Sequence, residues 1–530
     1  MGKLYTDICS FQEDNLTLQV NLPFSQSTDV LKLPLQIGAK TVPNRLACQP
    51  MEGCDGTADG SPDVLTARRY DRLARGGAGL IWFEATAVLK EGRANPRQLF
   101  ICEDNLADFK RQVDTIKTAG IHANGKEPII IMQATHSGRY SKPDGVQAPL
   151  IVYNNPIFEK DKPIDASHIV TDAYLDHVLE AMVHSAELAE QAGFDGVDLK
   201  CCHRYLNSEL LSAYERPGRY GGSLENRTRL LRESIRGAKE VCGRDFIITS
   251  RLNVYDGFPY PYGFGVAQDG CTAFDPAEPV WLLRQLSKLG VQLLNITMGN
   301  PYFNPHVNRP YASGSYEPPE NPLEGVARML NGTALLKKAV PEMKLMCSAL
   351  SYLGVAAAHV AAAFIEQGGF DLAGFGRTAL AYPDFAKDIL TDGEMKRDKI
   401  CLCCSKCTQI MRQPGGTPGC VVRDRDVYLP IYREKCGAKL GKRLQSSPAL
   451  LVESDMPAQS GCLKTALLWS EWGADSSCRT RWREILPMCL AISARMQTEK
   501  SWWIRPCRST VHWIFWSTWP VLHRRCARIF

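Results

Sequence analysis

The sequence predicts a single (β/α)8 barrel, an α/β fold, followed by a small cysteine-rich metal-binding segment. Eight short apolar, β-prone segments recur along the chain, and they span residues 44–49, 79–84, 128–133, 196–200, 246–251, 293–298, 344–348 and 372–376. The segments between them, such as 172–192 and 224–241, carry apolar residues at spacings of three and four with charge on the other face, as amphipathic helices do. This alternation of strand and helix is typical of a parallel sheet.

An open, doubly wound sheet gives a similar alternation, so the positions of the polar residues decide between the two folds. Nearly every apolar segment ends in an unusual polar residue, and barrel enzymes carry their catalytic groups at the carboxyl ends of the strands. We therefore expect a barrel over residues 30–395. This span exceeds the ~250 residues typical of the fold. Insertions are expected in the Pro- and Gly-rich segments 253–274 and 299–322, where they would shape the substrate pocket.

The composition is that of an ordinary globular protein. The chain has 530 residues, of which 45% are hydrophobic and 22% charged, and the net charge is only +5. No basic stripe indicates nucleic-acid binding, and no apolar run is long enough to cross a membrane. Neither partner is expected. Twenty cysteines without a secretory signal indicate reduced thiols and a metal site in a cytoplasmic protein.

Three further segments flank the predicted barrel: an N-terminal extension over 1–29, the cysteine-rich segment over 396–435, and a tail over 436–530. Eight of the ten tryptophans lie between Trp469 and Trp519, without periodicity or turn signals. Because local and global signals disagree there, we interpret the tail as disordered or non-native, for example the product of a shifted reading frame. A tryptophan-rich interaction segment is the alternative.

Two stretches after the fourth apolar segment carry the most specific motifs of the chain. Residues 195–206 read DGVDLKCCHRYL, and residues 219–227 read RYGGSLENR. They closely resemble the signature of the old yellow enzyme (NADH:flavin oxidoreductase) family. Further matching pieces follow the other strands: Asn44-Arg45, Pro50-Met51, 133–139, Arg251, Gly376-Arg377 and 382–384. The resemblance covers residues 30–430, and the cysteines after the barrel extend it to the branch of 2,4-dienoyl-CoA reductase, 2-enoate reductase and bile-acid-type enoate oxidoreductases.

The resemblance implies FMN as a cofactor, bound by Pro50, Met51, Ala85, Gln133, Arg251, Ser348, Ala349, Gly376 and Arg377. A flavin needs a phosphate clamp and donors along its pyrimidine edge. Arg377 follows the eighth strand, where barrels commonly hold phosphate, and its guanidinium offers a bidentate charge. Arg251 and Gln133 suit the pyrimidine edge, where a cation stabilises the reduced flavin. Taken singly, each arginine has a structural ion pair as its alternative role.

Reduction of an activated C=C bond needs donors for the developing oxyanion and a proton for the α-carbon. By resemblance, His203 is the second donor of the family's His-x-x-His or His-x-x-Asn pair, and Tyr205 is the proton donor. Lys200 replaces the first histidine and donates as a flexible cation instead of a planar imidazole. From the residues alone, His203 as a core histidine and Tyr205 as a packing residue stay open. His136 either contacts substrate or braces its loop.

The cysteine segment predicts a metal site. Cys401, Cys404 and Cys407 lie close together and Cys420 follows after twelve residues, while Cys403 offers a competing ligand. Thiolates at such spacing are typical of iron–sulfur clusters, although a four-cysteine zinc site needs the same ligands. The resemblance favours a [4Fe-4S] cluster. The spacing departs from the family's better-known one, which has three residues between the second and third ligands.

Together these features predict an FMN-dependent ene-reductase that transfers hydride to the C=C bond of an α,β-unsaturated carbonyl, acid or thioester. NAD(P)H is the expected electron donor, at the flavin or through the cluster, and an electron-donor flavoprotein is a possible partner. One alternative is an amine dehydrogenase or demethylase, in which Tyr205 and Lys200 would contact an amine. The other is a non-catalytic flavin electron carrier.

Overall fold

The computed structural model describes residues 2–440 and confirms the (β/α)8 barrel. Its strands in this part of the chain are β1 (Leu35–Ile37), β2 (Lys40–Val42), β3 (Leu46–Cys48), β4 (Leu80–Ala87), β5 (Ile129–Thr135), β6 (Gly196–Leu199), β7 (Ile247–Asn253), β8 (Leu293–Thr297), β9 (Lys344–Cys347) and β10 (Leu372–Phe375). Strands β3 to β10 pair in parallel in chain order, and β10 closes the barrel on β3 with Phe375 opposite Cys48. The eight predicted strands are the eight strands of this barrel.

Helices connect the barrel strands, and further helices precede the first strand and follow the last one. They are α1 (Ile8–Thr17), α2 (Val64–Arg75), α3 (Leu106–Asn124), α4 (Asp172–Gln191), α5 (Leu206–Leu210), α6 (Leu224–Arg227), α7 (Arg229–Val241), α8 (Ala277–Lys288), α9 (Pro305–Asn308), α10 (Pro322–Ala339), α11 (Ala357–Glu366), α12 (Arg377–Ala381), α13 (Phe385–Asp392), α14 (Lys406–Met411) and α15 (Arg425–Leu440). Local sequence sets their ends, because Thr171 caps α4 through the Tyr174 amide and Asn321 forms a capping box with Glu324 on α10.

Side-chain alternation along the strands separates two apolar layers. Leu80 and Trp82 on β4 belong to the barrel interior, whereas Ile81 and Phe83 on the same strand pack in the layer that holds the helices. The hairpin of β1 and β2 adds Leu35, Ile37 and Val42 to the interior cluster. The interior is therefore a packed core, and the polar residues that follow the strands are left for the carboxyl ends.

Some predictions concern residues or boundaries that this structure does not test. The predicted tail spans residues 436–530. Residues 436–440 belong to α15, and residues 441–530 lie outside the described part of the chain. The segment boundaries at 29, 395 and 435 stay predictions. None of the helices within residues 2–440 is both long enough and apolar enough to span a bilayer.

Candidate active site

One cavity at the carboxyl ends of the barrel strands brings the predicted site together. It encloses about 1030 Å³, part of it open to solvent. Its wall contains every residue predicted to bind FMN and every predicted catalytic residue: Pro50, Met51, Ala85, Gln133, Lys200, His203, Tyr205, Arg251, Ser348, Ala349, Gly376 and Arg377. These residues follow seven different strands or lie on them, so the barrel itself assembles the site.

The loop after β6 presents His203 and Tyr205 to the cavity through an unusual backbone path. His203 and Arg204 both have left-handed backbone angles, with φ of 65° and 53°. Non-glycine residues adopt this region at a cost and need support from their surroundings. The fully buried Arg204 supplies it, because its Nη1 pairs with Asp256 Oδ2 at 3.1 Å and also donates to the Tyr262 carbonyl.

Burial controls the protonation of the predicted catalytic groups. Lys200 and Tyr205 are only 4% and 2% exposed, and the Lys200 ammonium lies over the Tyr205 ring. Burial lowers the pKa of Lys200 and raises the pKa of Tyr205 well above its usual value. Burial, together with the charges of Arg251 and Lys200, holds the pKa of His203 well below its usual value. His203 is therefore neutral, and Tyr205 keeps its proton.

Asp198 orients the residues predicted for the pyrimidine edge. Its Oδ2 accepts hydrogen bonds from Gln133 Nε2 at 2.6 Å and from Trp82 Nε1 at 2.7 Å, and its Oδ1 accepts one from the Arg251 amide at 2.6 Å. Burial raises the pKa of Asp198 to about 6, although all three donors favour its charged form. With its amide nitrogen engaged by Asp198, Gln133 has its amide oxygen left to accept a hydrogen bond.

The residues predicted for the phosphate end follow β9 and β10. Ala349 has a left-handed φ of 73° at the start of a 3₁₀ turn over residues 350–356. Arg377 Nη2 donates to the Pro310 carbonyl at 2.6 Å, which fixes the guanidinium in the wall. A Cβ at Gly374 would lie 2.4 Å from the Cys347 carbonyl oxygen, so only glycine lets β10 lie this close to the backbone of β9.

The wall also contains residues that sequence reasoning missed. Gln49, Glu52, Tyr302 and Arg309 all line the cavity. Gln49 and Glu52 flank the predicted Pro50-Met51 pair, so their proximity was a usable signal. Tyr302 and Arg309 come from the predicted insertion 299–322, whose composition signalled a loop without indicating which side chains enter the site.

Two further expectations concern the insertion 253–274 and His136, and neither segment nor residue lines the cavity. No residue of the predicted insertion 253–274 lines the cavity, so the expectation that it shapes the pocket is wrong for this cavity. His136 is also outside the wall; its Nδ1 accepts from the Gly138 amide at 3.1 Å, and its Nε2 lies 2.9 Å from the Tyr174 hydroxyl. These contacts favour the loop-bracing role.

The cysteine segment packs beside the active-site cavity. Cys401, Cys404, Cys407 and Cys420 line one small pocket of about 380 Å³, together with Cys403. Cys407 and Arg377 line both this pocket and the active-site cavity. Within residues 2–440, no group of three or more His, Cys, Asp or Glu side chains has an arrangement suited to hold a metal ion. The four thiols are thus neighbours without a metal-binding arrangement.

The unpartnered polar atoms in the cavity wall suit FMN as a ligand. His203 Nε2, Arg251 Nε and Arg377 Nη1 are buried and have no hydrogen-bond partner within residues 2–440. Buried polar atoms normally find partners, and the residues of these three atoms line one cavity, to which Lys200 adds a further cationic group. A ligand with an acceptor edge at one end and a phosphate at the other satisfies this donor set, and FMN has both.

Comparisons with known proteins point in the same direction. A sequence profile of the NADH:flavin oxidoreductase / NADH oxidase family matches residues 31–271. An NADPH dehydrogenase from Halalkalibacterium halodurans is 32% identical over 265 residues, which cover 49% of this chain and 70% of that protein.

Two solved structures share the fold. One is a 2-naphthoyl-CoA reductase in complex with 2-naphthoyl-CoA, with a TM-score of 0.59 and 20% identity over 78% of this chain and 58% of that one. The other is an old yellow enzyme homologue from Zymomonas mobilis, with a TM-score of 0.52 and 22% identity over 69% of this chain and 94% of that one.

Proposed function

The chain belongs to the NADH:flavin oxidoreductase / NADH oxidase family, the old yellow enzyme family, and from this premise we propose that it is an FMN-dependent ene-reductase. Its substrates would be small α,β-unsaturated carbonyls, acids or thioesters, and NAD(P)H would be the electron donor. One observation carries the proposal: Lys200, His203 and the protonated Tyr205 line the same cavity as the residues that we expect to bind FMN.

FMN would be held by Arg377, Ser348 and Ala349 at its phosphate and by Gln133 and Arg251 at its pyrimidine edge. When bound, it supplies a hydride to the β-carbon of the activated double bond. The chain's own residues would orient the flavin and exclude water, since these polar groups are nearly all buried.

Lys200 and His203 would stabilise the negative charge that develops on the substrate's carbonyl oxygen. A buried donor aimed at such an oxygen accelerates reactions by about 10²–10³. His203 is neutral and keeps one N–H, whereas Lys200 brings a full charge into the same wall. The pair therefore combines a directional donor with a less directional cation.

Tyr205 would protonate the α-carbon. Its hydroxyl keeps its proton because burial raises its pKa well above the usual value. A buried phenol is a weak acid, so its proton moves only when a strongly basic carbanion or enolate forms beside it. This restricts the transfer to the step that follows hydride addition.

The second part of the proposal is a [4Fe-4S] cluster bound by Cys401, Cys404, Cys407 and Cys420. It rests on the spacing of these cysteines and on the pocket that they share, since their thiols are not arranged to hold a metal ion in this structure. Cys407 and Arg377 line both the cysteine pocket and the active-site cavity, so a cluster there would adjoin the flavin. Such a cluster passes single electrons, and it would accept them from a donor flavoprotein.

The test uses anaerobically purified full-length protein. The flavin is reduced with NADH or NADPH, and its reoxidation by an enone is followed by absorbance in the wild type and in Tyr205→Phe. We expect rapid reoxidation by the enone, slowed about 10²-fold in the variant. Flavin reduction by a methylamine, without reoxidation by the enone, would instead establish the amine dehydrogenase alternative, and inertness toward both would indicate an electron carrier.

A further inference from the structure

Glu52 places a carboxyl group in the active-site cavity that the proposed chemistry does not use. It follows Met51 after β3, and its Oε1 is buried without a hydrogen-bond partner among residues 2–440. The residue as a whole is partly accessible because it faces two cavities. A buried carboxyl oxygen with no partner costs free energy, and a role in the chemistry of the cavity would account for that cost.

The groups that face Glu52 are those of the proposed proton transfer. Lys200 and Tyr205 approach it from the loop after β6, Tyr302 from the loop after β8, and Cys54 from its own loop. The hydroxyl oxygens of Tyr205 and Tyr302 are 2.9 Å apart, a hydrogen-bonding distance. The Glu52 carboxyl is thus an electrostatic neighbour of a hydrogen-bonded pair of tyrosine hydroxyls.

A second cavity lies on the other side of this group. It has a volume of about 970 Å³, part of which is open to solvent, and we call it the antechamber. Its wall consists of Glu52, Cys54, Ala94, Asn95, Arg139, Tyr140, Lys142, Gln147, Tyr302, Met411 and Arg412. Arg412 is exposed, so the antechamber reaches solvent. Glu52 and Tyr302 line both cavities, whereas Tyr205 lines only the active-site cavity.

We propose that Glu52 is a proton-relay residue, which returns a proton to Tyr205 after each reduction and takes its own replacement from water in the antechamber. This inference rests on the proposed role of Tyr205. Each turnover adds one hydride and one proton to the double bond. The proton comes from Tyr205, which is left as a phenolate. The Glu52 carboxylic acid then protonates that phenolate, directly or through the Tyr302 hydroxyl, and the resulting carboxylate is protonated from water.

The electrostatics of the site suit this cycle. Burial raises the pKa of Glu52 above its usual value, while the charge of Lys200 opposes the shift. A carboxyl that holds its proton above the usual range can deliver it to a phenolate, which is a far stronger base. Tyr205 is 2% exposed, so its direct exchange with bulk water is restricted.

The test compares Glu52→Gln with the wild type, because glutamine keeps the shape of the side chain and loses the acidic proton. Pre-reduced enzyme is mixed with an enone, and the first reoxidation is separated from steady-state turnover. We expect steady-state kcat to fall at least about tenfold, with a larger solvent deuterium isotope effect and a less affected first reoxidation. Glu52→Asp should restore part of kcat, and Glu187→Gln, on the outer face of α4, is the matched control.

A readout independent of turnover is the infrared difference spectrum between the wild type and Glu52→Gln, in which we expect the loss of one protonated-carboxyl band, while bands from other buried carboxyls such as Asp198 remain. If the steady-state turnover and pH profile of Glu52→Gln match those of the wild type, while Tyr205→Phe is still slow in the first reoxidation, the relay is overturned. The proposed ene-reductase function is then unaffected. A Tyr205→Phe variant as fast as the wild type would overturn the proposed function itself. A first reoxidation as slow as the steady state in Glu52→Gln would place Glu52 in hydride transfer and also overturn the relay.

Discussion

The ammonium nitrogen of Lys200 lies 3.6 Å from the centre of the Tyr205 ring. A cation over an aromatic face is stabilised by about 0.5–2 kcal/mol, most when both groups are desolvated, and both are buried here. The ring therefore restricts a side chain that would otherwise be flexible. Lys200 and Tyr205, the proposed oxyanion donor and proton donor, therefore restrict each other's position.

The first prediction concerns the charge of Lys200. In Lys200→Met, reoxidation of the reduced flavin by an enone should slow about 10²–10³-fold, because the charge on the substrate oxygen loses its cation. Reduction of the flavin by NADPH develops no such oxyanion and should change less. Stopped-flow absorbance resolves the two half-reactions, and Lys110→Met on the exposed face of α3 is the control. Equal slowing of both half-reactions would speak against an oxyanion role.

The second prediction is the pH dependence that follows from the same lysine. Burial lowers the pKa of Lys200 from its usual value near 10.5. The lysine carries its positive charge only when protonated, so reoxidation should slow as pH rises through this lowered pKa. In Lys200→Arg the charge persists to higher pH, and the alkaline limb should move upward. A limb that stays in place in this variant would assign the titration to another group.

The third prediction is that titration of His203 does not lower the reoxidation rate at acidic pH. Burial and the charges of Arg251 and Lys200 hold its pKa well below 6.5, so the imidazole stays neutral across the physiological range. We expect His203→Asn, which also offers an N–H, to retain more of the reoxidation rate than His203→Ala, and neither change to remove a titration near pH 6.5. The pH profiles of the three proteins test this directly, and a limb lost with the imidazole would contradict it.

The barrel was predictable because its signal is local and repeated. Each strand appears as a short apolar segment, and β8 begins at Leu293 where the sequence places it. The polar residues at strand ends, such as Arg251 and Arg377, could be assigned to one site because parallel strands in a barrel share one carboxyl end.

Other features of the site depend on contacts that no local pattern encodes. Glu52 and Tyr302 meet although 250 residues separate them, and their relation to Tyr205 follows from the conformations of three loops. The buried pairing of Arg69 with Asp55 and Glu84, which supports the loop after β3, is likewise invisible in the sequence.

The fourth prediction concerns which of the cysteines bind the metal. Cys403 is buried, and its thiol donates to the Ser351 carbonyl at 3.3 Å, so this thiol is already engaged by the barrel. We expect Cys420→Ser and Cys407→Ser to lose the metal and Cys403→Ser to retain it. Iron, sulfide and zinc are measured per chain in anaerobically purified protein. Metal loss in Cys403→Ser with retention in Cys420→Ser would reassign the ligands, and zinc without sulfide would establish a zinc site.

The last prediction concerns Arg377 as the phosphate clamp. Its Nη2 is held by the Pro310 carbonyl and its buried Nη1 has no partner among residues 2–440. A charge-assisted hydrogen bond contributes about 1.5–3 kcal/mol, so Arg377→Gln should weaken FMN binding about tenfold to hundredfold. Arg377→Lys keeps the charge without the planar fork and should lie between. Equilibrium dialysis with flavin fluorescence measures the Kd, and Arg236→Gln on α7 is the control.

Riboflavin distinguishes a phosphate contact from a general effect on the cavity. It carries the same ring system without the phosphate, so the wild type should bind FMN more tightly than riboflavin. Because Arg377 would contact only the phosphate, Arg377→Gln should reduce FMN affinity and leave riboflavin affinity nearly unchanged. The ratio of the two Kd values therefore moves toward one in the variant. If both affinities fall together, Arg377 supports the cavity through the Pro310 contact instead of binding the phosphate, since loss of that contact would disturb either ligand.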